Sequence, residues 1–134
     1  MELPWLQRYQ PQLLALLRIV TALLFLEHAT SKFLAFPVPF AIQPVPPLLM
    51  AAGVVELLAG VLVTLGLFTR IAAFIASGEM AIGYFMMHFP KSPWPLANQG
   101  EGAILFCFVF LYLAAAGPGA WSIDGARNRN ERIR

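Results

Sequence analysis

The sequence predicts an all-α integral membrane protein, built as a bundle of four helices that cross the bilayer. Of the 134 residues, 59% are hydrophobic and only 12% are charged, which is about half the charge of an ordinary soluble domain. The mean hydropathy is +0.70, and four apolar stretches approach the roughly 20 residues that a helix needs to cross a bilayer. A soluble domain of this length could not bury so much apolar surface, so an ordinary cytosolic enzyme is excluded.

Proline and glycine clusters delimit the four predicted spans, because proline cannot continue a helix and belongs in a wetter layer. The spans are predicted at about residues 13–36, 48–68, 70–89 and 98–117. They form a domain of residues 1–124, which a basic tail of residues 125–134 follows. The turn at residues 66–70 is so short that the second and third spans must be antiparallel neighbours.

Small residues on the second and third spans predict close contacts between helices, since they allow two backbones to approach. These residues are Gly53, Gly60, Ala72, Ala76 and Ser77.

The single cysteine, Cys107, lies in an apolar run and excludes a disulfide framework. We expect its thiol to pack as a small hydrophobic group.

The distribution of basic residues predicts that both termini are cytoplasmic. Four spans place the termini on one side, and most basic residues fall there. They are Arg8, Arg18, Arg70, Arg127, Arg129, Arg132 and Arg134. Lys32 and Lys91 fall on the other side, so the positive-inside rule gives the orientation. The net charge is only +2, and the arginine tail indicates an anchor at the membrane surface rather than a nucleic-acid binder.

Three glutamates are predicted to share one level of the membrane. Glu27, Glu56 and Glu79 lie about nine or ten residues from the outer ends of their spans, which is roughly 12–15 Å deep. His28 is adjacent to Glu27, and Lys32 follows four residues later on the same helix face. Intramembrane carboxylates are costly and usually face a bundle interior or a wet cavity. We therefore expect these side chains to face one polar pocket in the outer half of the bundle, with a structural network between helices as the alternative.

The remaining polar residues lie near the ends of the predicted spans. Asn98 and Glu101 fit the start of the fourth helix, with Asn98 as N-cap and Glu101 at the third position; Glu101 at the mouth of the pocket is the alternative. His88 is an interfacial residue that pairs with Tyr84 and lies opposite Glu79 if the third helix is regular. Arg18 and Arg70 lie near the inner ends.

We expect Arg18 to reach the cytoplasmic headgroups and Arg70 to open the third helix, with an anion or lipid-phosphate site as the alternative.

No familiar metal or haem pattern is matched. A di-iron bundle uses Glu-x-x-His on two helices, whereas no histidine follows Glu79 or Glu101 by three residues. Haem held by His28 and His88 would need both at one level, but they differ by about 9 Å. The metal content stays open.

Four segments resemble the DoxX family of small bacterial membrane proteins. They are Leu17–Val20 (LRIV) followed by Phe25–Phe33 (FLEHATSKF), Glu56–Gly60 (ELLAG) running on to Gly66–Arg70, Asn98–Glu101 (NQGE) and Gly117–Asp124 (GPGAWSID). Gln99 departs from the family's Asn-Gly-Gly-Glu at one glycine. The family pattern covers Arg18, His28, Lys32, Glu56, Arg70, Asn98 and Glu101, and it leaves Glu27 and Glu79 unassigned.

The resemblance implies a four-helix fold in the bacterial inner membrane and an association with oxidoreductase systems, because members resemble the small subunit of thiosulfate:quinone oxidoreductase. The leading hypothesis is a membrane component of a quinone-linked redox system. Proton exchange and contact with the quinone head are assigned to Glu27, His28, Lys32, Glu56 and Glu79. Binding of the cofactor is assigned to Arg18, Arg70, His88, Asn98 and Glu101.

Two further functions stay open at this point. One is a transporter or binding protein for a small molecule, protons or a cation, which we expect to act as a homodimer because four spans are few for alternating access. The other is a non-catalytic subunit of an oxidoreductase complex. The chain has no recognisable flavin, haem or iron–sulfur motif, so electrons would come from a redox partner protein or from a small reductant such as a sulfur compound.

Overall fold

The structure, a computed structural model, describes residues 2–134, and these are folded entirely as helices and loops. Its α-helices are α1 (Pro4–Gln7), α2 (Gln10–Leu34), α3 (Pro47–Leu65), α4 (Thr69–Gly83), α5 (Pro95–Asn98), α6 (Glu101–Ala116) and α7 (Ile123–Ile133). A π-helical turn at Tyr84–His88 and a 3₁₀ turn at Phe89–Lys91 extend α4. No β-strand occurs within residues 2–134.

Three helices are long and apolar enough to cross a membrane: α2, α3, and α4 together with its extension to Lys91. They overlap the first three predicted spans, with small shifts at the ends. The fourth predicted span, 98–117, contains the shorter apolar helix α6 of 16 residues. Helix α6 begins three residues later than expected, because Gln99 adopts a left-handed conformation (φ 59°) that ends α5 before α6 starts.

The long helices pack in antiparallel pairs. Helix α2 packs mainly on α3 and α4 mainly on α6, while contacts of α3 with α4 and of α2 with α6 join the two pairs. We call the end where α2 begins and α6 finishes the terminal end, and the opposite end the loop end. The core between the pairs is apolar and includes Phe25, Val63, Ala73, Phe110 and Leu113. Many large apolar side chains cover the outside of the helices, as a lipid-facing surface requires.

Small residues of α3 bring it close to α2. A methyl group on Gly60 would lie only 2.6 Å from the side chain of Leu26, and one on Gly53 would lie 3.0 Å from the ring of Phe33. Both glycines are buried. The two helices can therefore approach this closely only because no side chain stands between them at these positions.

Polar contacts at three levels align α4 with α6. Near the middle, the hydroxyl of Ser77 donates to the carbonyl of Cys107 at 2.7 Å. At the terminal end, the guanidinium of Arg70 donates to the carbonyl of Ala115. At the loop end, the side-chain amide of Asn98, the last residue of α5 shortly before α6, donates to the π-helical turn that extends α4. Helix α6 therefore follows α4 along its whole length.

The turn between α3 and α4 is held from the C-terminal part of the chain. Gly66 occupies the left-handed region (φ 67°), and its carbonyl accepts from the backbone N–H of Asp124 at 2.9 Å. The carboxylate of Asp124 accepts from the backbone N–H groups of Phe68 and Thr69, both at 2.9 Å. Burial raises the pKa of Asp124, but the hydrogen bonds from Thr69 and Phe68 outweigh it and hold that pKa below its usual range.

The Asp124 contact predicts a pH-dependent stability. A carboxyl whose pKa is lowered by folding stabilises the fold fully above its unfolded pKa of about 3.9, and this contribution disappears as the pH falls through the lower folded value. We expect Asp124→Asn to lower the free energy of unfolding by about 1–2 kcal/mol at pH 7, because an amide accepts only one of the two hydrogen bonds. Denaturant unfolding in detergent micelles measures this difference.

The difference between the Asp124→Asn variant and the unmodified protein should shrink as the pH is lowered below about 4. Glu131→Gln removes an exposed carboxylate from the same helix and should have almost no effect at either pH. A difference that stays constant down to acidic pH would show that the charge of Asp124 is not what holds the turn.

Candidate functional site

A buried ion pair between α2 and α3 forms the centre of the candidate site. The ammonium of Lys32 donates to both carboxylate oxygens of Glu56, at 2.9 and 2.7 Å, and to the carbonyl of His28 at 3.4 Å. Lys32 is 8% exposed and Glu56 is 3% exposed. The Lys32 nitrogen also lies 4.8 Å from the centre of the Phe40 ring. The ammonium is therefore surrounded by the Glu56 carboxylate, the His28 carbonyl and the Phe40 ring.

The local sequence explains how Lys32 reaches Glu56. Gly53 lies one turn before Glu56 on the same face of α3, and a methyl group there would approach the Lys32 side chain to 3.2 Å. In the last turns of α2, the hydroxyls of Thr30 and Ser31 donate to carbonyls of the loop that follows the helix, at 2.8 and 2.9 Å. These bonds fold residues 35–46 back over the end of α2, where Phe40 covers the ammonium.

Glu79 on α4 is the third member of what we call the polar cluster: Lys32, Glu56 and Glu79. Its two carboxyl oxygens are buried, and neither has a hydrogen-bond partner among residues 2–134. Helix α4, which carries Glu79, packs on α3, which carries Glu56. The cluster therefore contains two carboxyl groups and one lysine. The lysine pairs with Glu56, so the Glu79 carboxyl has no cationic partner.

Glu27 does not join the other two glutamates, so the prediction that all three converge is wrong in this respect. Its side chain is exposed on the outer surface of α2. Five residues separate it from the buried Lys32, which turns it about 140° around the helix axis. His28 is exposed as well; its ring lies at the margin of the cluster, 5.6 Å from the ring of Phe106 and edge-on to it.

Asn98 organises the loop end. It is 1% exposed, and its amide nitrogen donates to the Tyr84 hydroxyl at 3.1 Å and to the carbonyl of Ser92 at 2.9 Å. Its side-chain oxygen accepts from the backbone N–H of Gly100 at 2.8 Å. The Nδ1–H of His88 donates to the Asn98 carbonyl at 2.9 Å, and its ring stacks on Tyr84. The polar groups of Asn98 are thus engaged within the protein.

Two predictions about the loop end need correction. Asn98 is not the N-cap of α6, because α6 begins at Glu101 with Gly100 before it, and Glu101 is exposed at the first position rather than the third. The placement of His88 opposite Glu79 assumed a regular helix, which the π-helical turn at 84–88 interrupts. The expected pairing of His88 with Tyr84 is confirmed.

Arg18 and Arg70 bind backbone carbonyls at the terminal end. Arg18 is fully buried, and its guanidinium donates to the carbonyls of Pro118, Ala120 and Trp121, the last two at 3.1 and 2.9 Å. The prediction that it extends to the headgroups is therefore wrong, because the loop after α6 crosses α2 and covers it. Arg70 donates to the last carbonyls of α6, where the helix dipole favours a cation.

The cluster is packed rather than open. One surface groove is lined by α1, the start of α2 and Tyr112, and a second is lined by α7 and the loop before it. Neither groove is lined by Lys32, Glu56 or Glu79. In the described part of the chain, no group of three or more His, Cys, Asp or Glu side chains is placed to hold a metal ion.

Sequence reasoning missed Phe40 and Asp124. Phe40 lies in a proline-rich loop, where no periodicity indicates which way a side chain faces. Asp124 had a usable signal, since an acidic residue two positions after Ser122 is typical of the first turn of a helix. Ser122 is indeed the N-cap of α7, and its hydroxyl accepts from the N–H of Gly125 at 3.0 Å.

The apolar helices and the buried charges between them define a small multi-pass membrane protein. The DoxX family model matches residues 13–89, and the chain belongs to this family. The matched region contains α3, α4 and all of α2 except its first three residues, and so all three residues of the polar cluster.

The chain is similar to two bacterial proteins over most of its length. An uncharacterized protein of Haemophilus influenzae is 45% identical over 127 residues, covering 89% of this chain and 93% of the relative. The inner membrane protein YphA of Escherichia coli (strain K12) is 30% identical over 133 residues, covering 86% of this chain and 90% of the relative. No solved structure matches the chain. The family and the inner membrane relative identify a multi-pass protein of the bacterial inner membrane.

The ion pair predicts a strongly non-additive mutant cycle. Lys32→Met should destabilise the fold by about 3–5 kcal/mol, because it leaves the Glu56 carboxylate buried without a partner. The double variant K32M/E56L should recover most of that loss, since two apolar side chains replace two paired charges. Unfolding of the four proteins in the same detergent measures the coupling.

Lys91→Met is the matched control, because it removes an exposed lysine at the loop end and should change stability by less than about 0.5 kcal/mol. Additive losses in the double variant would contradict a direct interaction between Lys32 and Glu56.

Proposed function

We propose that this protein is the membrane component of a quinone-linked redox system and that Glu79 is its proton-exchanging group. The observation that carries the proposal is the position of the Glu79 carboxyl. It is buried between apolar helices beside a lysine that already pairs with another carboxylate, and it has no hydrogen-bond partner within residues 2–134. Ionisable groups placed in this way in membrane proteins are typical of proton relays.

The charge balance of the cluster supports this role for Glu79. The ammonium of Lys32 directs its donors to Glu56 and to the carbonyl of His28, so Glu79 receives no hydrogen bond from it. A lone carboxylate in an apolar interior is strongly disfavoured. Glu79 therefore takes up a proton or a cation when it is enclosed, and it releases that ion when a polar partner arrives.

A quinone is a suitable partner on chemical grounds. Its reduction to the quinol consumes two electrons and two protons, and the electrons would come from a redox partner protein or a small reductant. Lys32 is not available to bind a quinone carbonyl, which corrects the role first considered for it. The exposed imidazole of His28 can donate to that carbonyl from the lipid side, and the neighbouring Phe106 offers an aromatic edge.

The surplus carboxyl favours a second candidate function, the binding or transport of protons or a monovalent cation. Lys32 is paired with Glu56, and the buried Glu79 carboxyl has no partner within residues 2–134, so a cation bound at Glu79 would balance its charge without any redox chemistry. Both candidates use the same residue, and they differ in whether turnover needs a quinone.

We also infer a four-helix bundle with both termini in the cytoplasm, consisting of residues 1–124 with the tail of residues 125–134. Helix α6 is about 24 Å long and follows α4 along its length, which supports a fourth crossing. Exposed arginines concentrate at the terminal end, as the positive-inside rule requires of the cytoplasmic side. The polar cluster then lies in the outer half of the bundle.

The orientation predicts the behaviour of reporter fusions. A green fluorescent protein fused after Arg134 should fluoresce, and an alkaline phosphatase fused there should be inactive, because both would remain in the cytoplasm. Alkaline phosphatase inserted in the loop at residues 35–46 should be active. Phosphatase activity at the C-terminus would contradict four crossings with cytoplasmic ends.

The proposed function predicts a specific loss in Glu79→Gln. Decylubiquinone should bind the purified protein in lipid nanodiscs, measured by quenching of tryptophan fluorescence. Glu79→Gln should weaken this binding by about tenfold, because it replaces the carboxyl that hydrogen-bonds the quinone with an amide that cannot exchange a proton. Glu27→Gln is the matched control: it is the same change on the exposed surface of α2 and should have an effect of less than about twofold.

A pH jump across proteoliposomes without quinone distinguishes the second candidate. Proton flux that Glu79→Gln abolishes, together with no binding of decylubiquinone, would favour transport over redox chemistry. Neither binding nor flux in the unmodified protein would contradict both functions and favour a non-catalytic subunit.

A further inference from the structure

A second groove lies at the terminal end, far along the helices from the polar cluster. It is formed by α7, the loop before it and the end of α3, with a volume of about 720 Å³, which is in the range of ligand sites. Its apolar lining includes Leu65 and Ile123, and Arg127 and Arg129 also line it. An apolar trough with two cations is thus present outside the candidate site.

The helical spacing of α7 explains this composition. At 100° per residue, Ile123 and Ala126 fall on one face, and Arg127 and Arg129 fall on either side of that face. The arginines are exposed. Asn130 falls on the same face and also lines the groove, so the floor combines apolar side chains with one amide and has a guanidinium on each edge.

The nearby carboxylates form no close ion pair with these arginines, although the charge of Asp124 acts on Arg127 at longer range. Asp124 is occupied by the backbone N–H groups of Phe68 and Thr69, and Glu131 does not line the groove. Among residues 2–134, no carboxylate forms an ion pair within 4.0 Å of Arg127 or Arg129. Both guanidinium groups can therefore bind an anion.

Aromatic residues place the groove at a membrane surface. Trp121, which lines the groove, is 63% exposed, and Phe68 is 54% exposed. The guanidinium of Arg127 lies 5.6 Å from the centre of the Phe68 ring. Exposed aromatic rings beside arginines at the end of a spanning helix are typical of the lipid–water interface.

We propose that this groove is a binding site for an anionic glycerophospholipid of the adjoining leaflet. The lipid phosphate binds between Arg127 and Arg129, and the glycerol and upper acyl carbons lie against Leu65 and Ile123. The complementarity of charge and apolar surface selects an anionic lipid over a zwitterionic one. The site depends on the location of the protein in a membrane and not on the chemistry of the polar cluster.

Native mass spectrometry of the full chain tests the proposal, with phosphatidylglycerol and phosphatidylcholine titrated separately. We expect phosphatidylglycerol to be retained at lower lipid concentration than phosphatidylcholine. The double variant R127Q/R129Q should weaken its retention by about tenfold or more. The matched control R132Q/R134Q removes the same charge from α7 and the end of the chain, outside the groove, and should weaken it by no more than about threefold.

Three results would overturn the site. Equal weakening in the two double variants would indicate diffuse attraction to the tail, and equal retention of the two lipids would exclude selection of an anion. Complete displacement of phosphatidylglycerol by millimolar inorganic phosphate would indicate a free-anion site rather than a lipid site.

An unchanged melting temperature confirms that R127Q/R129Q is folded. If the double variant does not fold, the single variant Arg129→Gln provides the test. Because these variants leave Glu79 unchanged, this result is independent of the quinone experiment.

Discussion

The buried ion pair between Lys32 and Glu56 is the interaction on which the arrangement of the loop-end half depends. It joins α2 to α3 where each helix could otherwise rotate against an apolar neighbour, and in lipid such apolar packing offers little directional preference. Two buried charges must meet in one geometry, because each is costly without the other. The pair thereby sets which faces of α2 and α3 are internal, and it leaves Glu27 outside.

The same physical requirement shapes the terminal end, although there the cations bind backbone rather than carboxylates. Arg18 binds three carbonyls of the loop after α6, and Arg70 binds carbonyls at the end of α6 itself. Carbonyls that a helix end or a loop leaves unpaired need donors. These two arginines supply them and so tie the C-terminal part of the chain to α2 and α4.

The polar cluster connects this architecture to the proposed chemistry. The pair of Lys32 and Glu56 is satisfied in itself and supplies a rigid, polar wall. Glu79 stands against that wall, and within the described residues nothing donates to its carboxyl oxygens. A site with one satisfied pair and one unsatisfied carboxyl is suited to exchanging a single ion, whereas a fully paired network would only hold helices together.

The sequence by itself determined the membrane class, three of the long helices, the close contact through Gly53 and Gly60, and the candidate residues Lys32 and Glu56. These follow from composition, proline positions and helix spacing, which are local properties of the chain. Only the tertiary structure decided that Glu27 faces outward, that α6 begins at Glu101, and that Arg18 is buried under a distant loop. Such outcomes depend on how each helix is rotated against its neighbours, and that rotation is set by contacts between residues far apart in sequence, such as Arg18 with Trp121.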